Sequence, residues 1–149
     1  MSDNSIREQI IKADEALIKT ITTIKTVERR LPSYSDLKDF AMTQLPVAAI
    51  VGRLPVVVNH VNSRVGQVDQ CISELKVDIN VFMQENVNAD TQISSLLDDF
   101  WRVLYTNPTR NGLGIFLELK AEENIETWPP FVAFQITCYH KYKHSTGGI

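Results

Sequence analysis

The stretch that decides the fold runs from Asp69 to Glu85 and reads DQCISELKVDINVFMQE. Apolar and polar side chains alternate within it: Leu75, Val77, Ile79 and Val81 are separated by Lys76, Asp78 and Asn80, with Glu74 before them. A period of two is typical of a β-strand with one face in the core and the other in water. A fully buried parallel strand would be continuously apolar, and a helix would repeat its apolar residues every three or four positions. The pattern therefore predicts the central strand of an antiparallel sheet.

Composition and charge limit the class of protein around this strand. The chain has 149 residues, 44% hydrophobic and 22% charged, which is typical of one soluble domain with a real core, here residues 1–149. The net charge of -3 gives no basic patch of the kind that nucleic-acid binding requires. No apolar run approaches the roughly 18 residues that a membrane span needs, and the start MSDNSIREQ does not resemble a signal peptide. We therefore expect a cytoplasmic protein without a membrane anchor.

The first of two predicted amphipathic helices covers residues 5–24. Ser5 and Glu8 have the spacing of a capping box, and apolar residues then recur every three or four positions. The charged residues between them are expected to face water: Lys12, Asp14, Glu15 and Lys19. Such a helix needs an apolar surface to cover, and the sheet supplies it.

The second predicted helix covers about residues 90–105. Asn88 or Asp90 serves as its N-cap, and Asn107-Pro108 ends it, because proline cannot continue a helix. Helices and strands in this order predict an α+β fold, with two amphipathic helices packed on one face of a small antiparallel or mixed sheet.

Shorter strands are predicted on both sides of the central strand, at residues 25–31, 47–51, 53–62, 115–119 and 131–143. The acidic segment 122–126 is expected to be an exposed connection, and residues 145–149 a flexible tail. Because both helices cover one face, the opposite face is expected to meet water or a partner. Its predicted members are Cys71, Ser73, Phe82, Phe131, Ala133 and Tyr139.

The sequence offers no constellation for catalysis, cofactor binding or metal binding. It has no glycine-rich phosphate loop, no Cys-x-x-Cys pair and no His-Glu-x-x-His motif. Cys138, His140 and His144 share one face of a predicted strand, but residues six apart in a strand are separated by about 20 Å, too far to close a tetrahedron. We expect a buried thiol beside surface histidines. Both cysteines, Cys71 and Cys138, are expected to be reduced and buried, since one pair is no disulfide framework.

A set of elements carries a resemblance to a known family. These elements are the opening helix Ile6 to Ile24, the strand Leu45 to Val51, the alternating strand Glu74 to Gln84, the helix Thr91 to Tyr105, the turn from Asn107-Pro108 to Gly112-Leu113-Gly114, and the closing strand Phe131 to His144. Their order resembles the tail terminator proteins of long-tailed bacteriophages, the neck family that includes the lambda tail terminator. The resemblance covers nearly the whole chain, as a pattern of elements and short apolar segments.

The resemblance implies a function in virion assembly. It implies a structural protein without enzymatic activity or cofactor, which forms a hexameric ring that caps the tail tube, stops its polymerisation and offers a surface to the head connector. The implied partners are copies of itself, the tail tube protein and a head completion or connector protein, with DNA passing through the lumen without sequence-specific binding. Candidate residues for subunit and tube contacts are Arg53, His60, Arg64, Glu122, Glu123, Glu126, Trp128, Tyr139, Lys141 and Lys143.

Two alternatives remain open from the sequence. One is another phage neck, head-tail connector or tail-assembly component with a similar small α+β fold. The other is a small α+β ligand-binding domain or enzyme with a pocket beside the exposed sheet face, for which the sequence offers no plausible set of acid, base and nucleophile.

Overall fold

A six-stranded mixed sheet lies at the centre of the molecule. The computed structural model describes residues 5–33, 35–36, 44–61, 70–84, 87–123 and 131–145. Its elements are α1 (Ile6–Ile18), β1 (Thr26–Glu28), β2 (Val47–Gly52), β3 (Val56–Val61), β4 (Gln70–Gln84), α2 (Ala89–Leu104), β5 (Ile115–Glu123) and β6 (Phe131–Ser145). The predicted α+β class is confirmed.

The predicted central strand is confirmed as β4. It pairs antiparallel with β6 along its whole length, from Gln70 opposite Ser145 to Gln84 opposite Phe131. The strand order is β1-β2-β4-β6-β5, with β3 also paired to β4. Among the described strands, β1 and β2 alone run parallel to each other, so the sheet is mixed.

On the side of β4 opposite β6, strands β2 and β3 lie end to end. Gly52 pairs with Val77 and Val56 pairs with Glu74, so three residues of the outer chain stand opposite two residues of β4. Pro55 lies inside this irregularity, where its missing N–H removes no pair from the ladder. Together β2 and β3 form one bent strand.

Both helices pack on the same face of the sheet, as predicted. That face is built from alternate residues of the two long strands, which are nearly all fully buried: Leu75, Val77, Ile79, Val81, Phe134, Ile136 and Cys138. The helices contribute Ile10, Ile11, Ile18, Leu96, Phe100 and Leu104 to the same core. Each such side chain contributes about 1.5–3 kcal/mol relative to an exposed position, and this contribution holds the two layers together.

The sequence predicts where the two helices begin more accurately than where α1 ends. The Ser5 hydroxyl accepts a hydrogen bond from the Glu8 N–H at 3.1 Å, as the capping box predicts. The N-cap of α2 is Asn88, although its side chain makes no capping bond. The first helix ends at Ile18 and not at Ile24, because residues 20–23 are all β-branched and the Thr20 hydroxyl bonds back to a helix carbonyl. Neither α1 nor α2 is long and apolar enough to cross a membrane.

Besides the end of α1, three further predicted boundaries are wrong. The strand predicted at residues 25–31 is reduced to Thr26–Glu28. The strand predicted to end at residue 119 continues to Glu123, so Glu122 and Glu123 belong to β5 and not to a connection. Ser145 pairs with Gln70 in β6 and is not part of a flexible tail; residues 146–149 lie outside the described residues.

The second face of the sheet differs from its prediction at both ends of β4. Cys71 and Ser73 lie on the helix-covered side, since the alternation that buries Leu75 continues back through β4. At the other end, the second face is already closed within the chain by a small apolar cluster, and no partner is needed there. The members of this cluster are 0–7% exposed: Val47, Ala49, Phe82 and Phe131.

Candidate functional site: the Arg110 turn and the open end of the sheet

Three charged or polar side chains meet in the interior beneath the helices. Asp14 of α1, Arg110 of the turn after α2 and His140 of β6 are each at most 1% exposed. Arg110 Nε lies 2.6 Å from Asp14 Oδ1, and His140 Nε2 lies 2.7 Å from Asp14 Oδ2. One carboxylate thus joins three separate elements; we call this set the buried network.

The Arg110 backbone has a conformation that L side chains rarely adopt. Arg110, Asn111 and Gly112 have φ angles of 46°, 62° and 82°, all in the left-handed region. Arg110 keeps this conformation because its Nη1 donates to the carbonyls of Leu104, the last residue of α2, and of Asn107 in the turn. The guanidinium therefore fixes the path of the turn.

Aromatic rings close the buried network on one side. The Arg110 guanidinium carbon lies 4.4 Å from the centre of the Phe116 ring. That ring also contacts His140, at 5.4 Å between centroids, and Tyr105, at 4.8 Å. The rings shield the ion pair from water, which strengthens it and makes each unpaired charge expensive.

Two polar atoms of the buried network have no hydrogen-bond partner among the described residues: Arg110 Nη2 and His140 Nδ1. The Asp14 carboxylate can only accept hydrogen bonds, so His140 presents its Nε2–H to it. The Arg110 cation and the Asp14 anion then balance each other, and Nδ1 is the ring atom of His140 that is left without a partner.

Cys138 lies beside this network and raises the question of reactive chemistry. Ligand atoms of Asp14, Cys138 and His140 lie within 4.8 Å of one another. Burial first, and the Asp14 charge second, raise the pKa of the Cys138 thiol well above its ordinary value. A protonated thiol is a poor nucleophile, and the Asp14 carboxylate is already paired with the Arg110 cation. The arrangement acts as a structural lock on α1, the turn and β6.

Sequence reasoning missed this lock. Asp14 was expected to face water, and His140 was expected at the surface; both are buried. The available signal was that Asp14 lies four residues from both Ile10 and Ile18, which places it on the apolar stripe of α1. Arg110 gave no signal, because a turn arginine is ordinarily exposed.

The turn that Arg110 fixes forms one wall of a cleft. A Cβ on Gly114 would lie only 2.5 Å from the Lys141 carbonyl oxygen, so the turn touches the β6 backbone at this glycine. The cleft has a volume of about 440 Å³. Its lining residues are Ile72, Gly112, Leu113, Gly114, Ile115, Lys141, Tyr142 and Lys143.

This end of the sheet has two unlike edges. The β5 ladder begins with Ile115 opposite Lys141, so residues 142–145 of β6 extend beyond β5, next to the cleft. On the other side, among the described strands, β3 pairs with β4 alone. Residues on and just before β3 form a strongly exposed apolar ridge: Leu54 (83%), Val56 (62%), Val57 (53%) and Val58 (46%).

A second Asp–Arg pair lies on the helix-free face. Arg53 donates to both Asp78 carboxylate oxygens, at 2.7 and 2.9 Å. Thr137 donates to the same carboxylate at 2.8 Å, and Gln135 donates at 3.3 Å. This pair ties the end of β2 across β4 to β6.

The predicted contact residues fall into distinct places. Lys141 and Lys143 line the cleft, and Arg53 borders a 270 Å³ depression at the ridge. Tyr139 lies between the ammonium groups of Lys76 and Lys120, 5.4 and 5.1 Å from its ring centre. His60 is in β3, and Glu122 and Glu123 are in β5. Arg64, Glu126 and Trp128 lie outside the described residues.

The described part of the chain thus combines a locked turn, a cleft and an exposed apolar ridge at one end of its sheet. Within those residues, the one cluster of nucleophilic and titratable groups in the core is closed to solvent. Comparison with known proteins finds no family model that matches the chain and no curated protein that matches it.

Proposed function

We propose that this chain is a tail terminator subunit of a long-tailed bacteriophage, which closes the tail tube as a ring, stops its polymerisation and offers the surface for head joining. The observation that carries the proposal is the order of elements. An opening helix, the short strand β2, the long alternating strand β4, a second helix and the closing strand β6 follow one another as the resemblance implies, with β1, β3 and β5 as additional strands.

The unlike edges of the sheet support a role in ring assembly. A closed ring needs heterologous contacts, in which two different patches of one subunit meet on neighbouring copies. The ridge on β3 and the cleft beside β6 are two such different patches at one end of the sheet. An assembly subunit of this kind requires no reacting group, which agrees with a core cluster that is closed to solvent.

The partners of the proposed ring are the tail tube protein on one side and a head completion or connector protein on the other. DNA would pass through the ring without sequence-specific recognition. The net charge of -3 supports this, because an acidic protein does not release counterions from the phosphate backbone. The proposed location is the virion neck, with assembly in the host cytoplasm and no membrane contact.

Deletion of the gene from the phage that encodes it tests the proposal. Without a terminator, tubes are expected to grow past their normal length and to lack heads, and expression of the wild-type chain in trans is expected to restore normal tails. Tail lengths are measured by negative-stain electron microscopy. Normal tail length in the deletion strain would overturn the proposal.

The same experiment separates the alternatives. Tails of normal length that fail to join heads would assign the chain to another neck or connector role. A ligand-binding domain is favoured by one observation, the 440 Å³ cleft. For that candidate, a thermal-shift screen should find a small molecule that stabilises a monomeric protein, and the deletion strain should build normal tails.

A further inference from the structure

We propose that Asn111 is a self-modification site, at which the Gly112 backbone nitrogen attacks the Asn111 side-chain amide and the residue becomes aspartate or isoaspartate. Water is the co-reactant, and the chain itself supplies the attacking group. This modification goes beyond the proposed function and does not depend on it, because it concerns the chemistry of the turn after α2 alone. The same turn has left-handed backbone angles, with φ of 62° at Asn111 and 82° at Gly112.

Asn111 is the one asparagine of the sequence that precedes a glycine. The chain has nine asparagines, and the other eight precede residues that carry side chains. A side chain on the following residue hinders the approach of its backbone nitrogen to the amide, whereas glycine has no Cβ and turns freely. Asn107 is excluded outright, because the nitrogen of Pro108 has no hydrogen to lose. The sequence therefore offers a single position at which this ring closure is easy.

Asn111 and Gly112 are both exposed, unlike Arg110 before them. A Cβ built on Gly112 would meet no described atom within 4 Å beyond its own chain neighbours, whereas one on Gly114 would lie 2.5 Å from the Lys141 carbonyl oxygen. Among the described residues, the space beside Gly112 is therefore free for the reacting amide. Exposure also gives water and hydroxide access to the Gly112 N–H and to the products.

The Asn107 side chain holds the Asn111 amide by its oxygen. The Asn111 backbone N–H donates to Asn107 Oδ1 at 3.1 Å, and because a backbone N–H can only donate, this contact identifies the oxygen of the Asn107 amide. Asn107 Nδ2 is then the donor that faces Asn111 Oδ1, at 2.9 Å. Attack on the Asn111 amide carbon places negative charge on that oxygen, so a donor in this position supports the reaction.

Two long hydrogen bonds keep the turn closed and slow the reaction. The Gly112 N–H donates to Thr109 Oγ1 at 3.3 Å, and the Leu113 N–H donates to the Arg110 carbonyl at 3.2 Å. Both distances lie at or beyond the long end of the usual range for N–H···O bonds, so the bonds are weak. The Gly112 nitrogen must leave Thr109 and rotate toward the Asn111 side chain before it can attack. The folded chain should therefore react more slowly than the unfolded chain.

The reaction exchanges one ammonia for one water. The Gly112 nitrogen loses its proton to hydroxide or water and forms a bond with Asn111 Cγ. The bond from Cγ to Nδ2 breaks, and the departing nitrogen takes up a proton and leaves as ammonia. Because the attacking nitrogen and the amide are neighbours in one chain, their encounter costs little entropy. The product is a five-membered imide, formed without oxidation or reduction.

Hydrolysis of the imide gives two products with distinct signatures. Water that adds to the side-chain carbonyl gives aspartate, and water that adds to the main-chain carbonyl gives isoaspartate, whose main chain passes through Cβ. Either product adds one carboxylate, so the formal net charge changes from -3 to -4. Isoaspartate forms only through the imide, because direct hydrolysis of the amide by water gives aspartate alone. The added charge therefore reports the modification, and isoaspartate reports its mechanism.

Ageing of the folded protein in mildly alkaline buffer tests the proposal. Peptide mapping by mass spectrometry follows each asparagine, and methylation by a protein isoaspartyl methyltransferase detects isoaspartate. Asn88 is the internal control, since it is also exposed but precedes Ala89. Asn111 is expected to deamidate at least tenfold faster than Asn88, with isoaspartate among its products, and faster still in urea. A folded protein in which Asn111 reacts no faster than Asn88 would overturn the proposal.

Two variants test the attack by Gly112. Gly112→Ala has room for its methyl group, although φ of 82° strains an L residue, and it should slow the reaction at least tenfold with an unchanged circular dichroism spectrum. Asn111→Gln keeps the amide and the backbone at Gly112, but it should form no isoaspartate, because its longer side chain cannot close the five-membered ring. An unchanged rate in G112A, or aspartate without isoaspartate in the wild-type protein, would overturn the attack by Gly112.

Discussion

Two Asp–Arg pairs in this molecule have nearly the same closest N–O distance and opposite surroundings. Arg110 and Asp14 are 2.6 Å apart, with side chains 1% and 0% exposed. Arg53 and Asp78 are 2.7 Å apart, with side chains 47% and 14% exposed. The shortest distance therefore does not distinguish the pairs. Arg53 makes two hydrogen bonds to its carboxylate and Arg110 makes one, yet the larger difference between the pairs is access to water.

Access to water decides what each pair does. Removing one partner of a buried pair leaves a charge that water cannot reach, a loss of about 3–5 kcal/mol, whereas an exposed pair contributes about 0.2–1 kcal/mol. Desolvation also offsets most of the attraction inside the buried pair. The Asp14–Arg110 pair is thus a weak source of net stability but a strong determinant of where the turn lies.

The largest effect is expected from Arg110→Met, which removes the cation and leaves the Asp14 carboxylate buried. We expect the free energy of unfolding to fall by about 3–5 kcal/mol. Urea titration followed by circular dichroism, at one low protein concentration, measures the change. The fall in stability should come with loss of the cleft wall, because Arg110 no longer holds the left-handed turn.

The double variant Asp14→Leu/Arg110→Met is the control for the buried pair. It removes both charges together, so it should recover much of the stability that Arg110→Met loses. Equal or additive losses in the single and double variants would contradict the interpretation that the unpaired charge causes the effect.

His140→Phe is expected to lower the free energy of unfolding by less than Arg110→Met does. The aromatic ring fits beside Phe116, but one oxygen of the Asp14 carboxylate loses its donor. The expected loss is about 1–3 kcal/mol, the penalty for an unsatisfied buried acceptor. The matched change on the helix-free face, Thr137→Val, removes a donor that is itself buried but leaves Asp78 the donors Arg53 and Gln135, so it should have the smaller effect in the same urea titration. The reverse order would show that the number of remaining donors does not control these losses.

The contrast between buried and exposed side chains also explains how much of the fold the sequence predicts. Apolar residues alternate along β4 and recur every three or four positions in α1 and α2, and these repeats indicate which side chains are buried. The sheet, both helices and the packing of both helices on one face of the sheet can therefore be predicted from the sequence. The end of α1 did not follow, because apolar spacing continues to Ile24 while β-branched residues at 20–23 end the helix. Cys71 and Ser73 were misplaced although the alternation itself puts them with Leu75.

The site was harder to predict, for a physical reason. Asp14, Arg110 and His140 are held by contacts between residues about a hundred positions apart in the chain, and polar residue types are ordinarily solvated. The candidate contact residues Lys141 and Lys143 were placed at a strand end that turns out to border the cleft. The cleft itself depends on the path of the Arg110 turn, which no local pattern encodes.

Arg53→Ala breaks the exposed Arg53–Asp78 pair and should lower the free energy of unfolding still less. Arg53 is 47% exposed, and Asp78 keeps the donors Thr137 and Gln135 after the substitution. We expect a loss of no more than about 1 kcal/mol at low salt, decreasing in 1 M salt because ions screen an exposed pair. Urea titrations at the two salt concentrations measure it. A loss as large as that of Arg110→Met would remove the contrast between the two pairs.

The smallest effect is expected at the Glu8–Arg29 pair, where Arg29 reaches back from beyond β1 to α1. Arg29 Nη1 lies 2.6 Å from Glu8 Oε1, and the side chains are 35% and 20% exposed. The Arg29 hydrogen bond lowers the pKa of Glu8 from its ordinary value of 4.5. The pair therefore stabilises the fold above that value and loses its contribution as the pH falls through the lowered pKa of the folded state.

Glu8→Gln measures this last contribution. The variant should be less stable than the wild type by at most about 0.5 kcal/mol at pH 7. The difference should stay constant down to about pH 5 and shrink in more acidic solution, since protonated Glu8 resembles glutamine. Urea titrations between pH 7 and pH 3 follow it, with Glu15→Gln as control, because Glu15 meets Lys19 only at 3.9 Å. A difference that grows as the pH falls would reverse the sign and contradict the role of the carboxylate, since only the ionised form of Glu8 attracts Arg29.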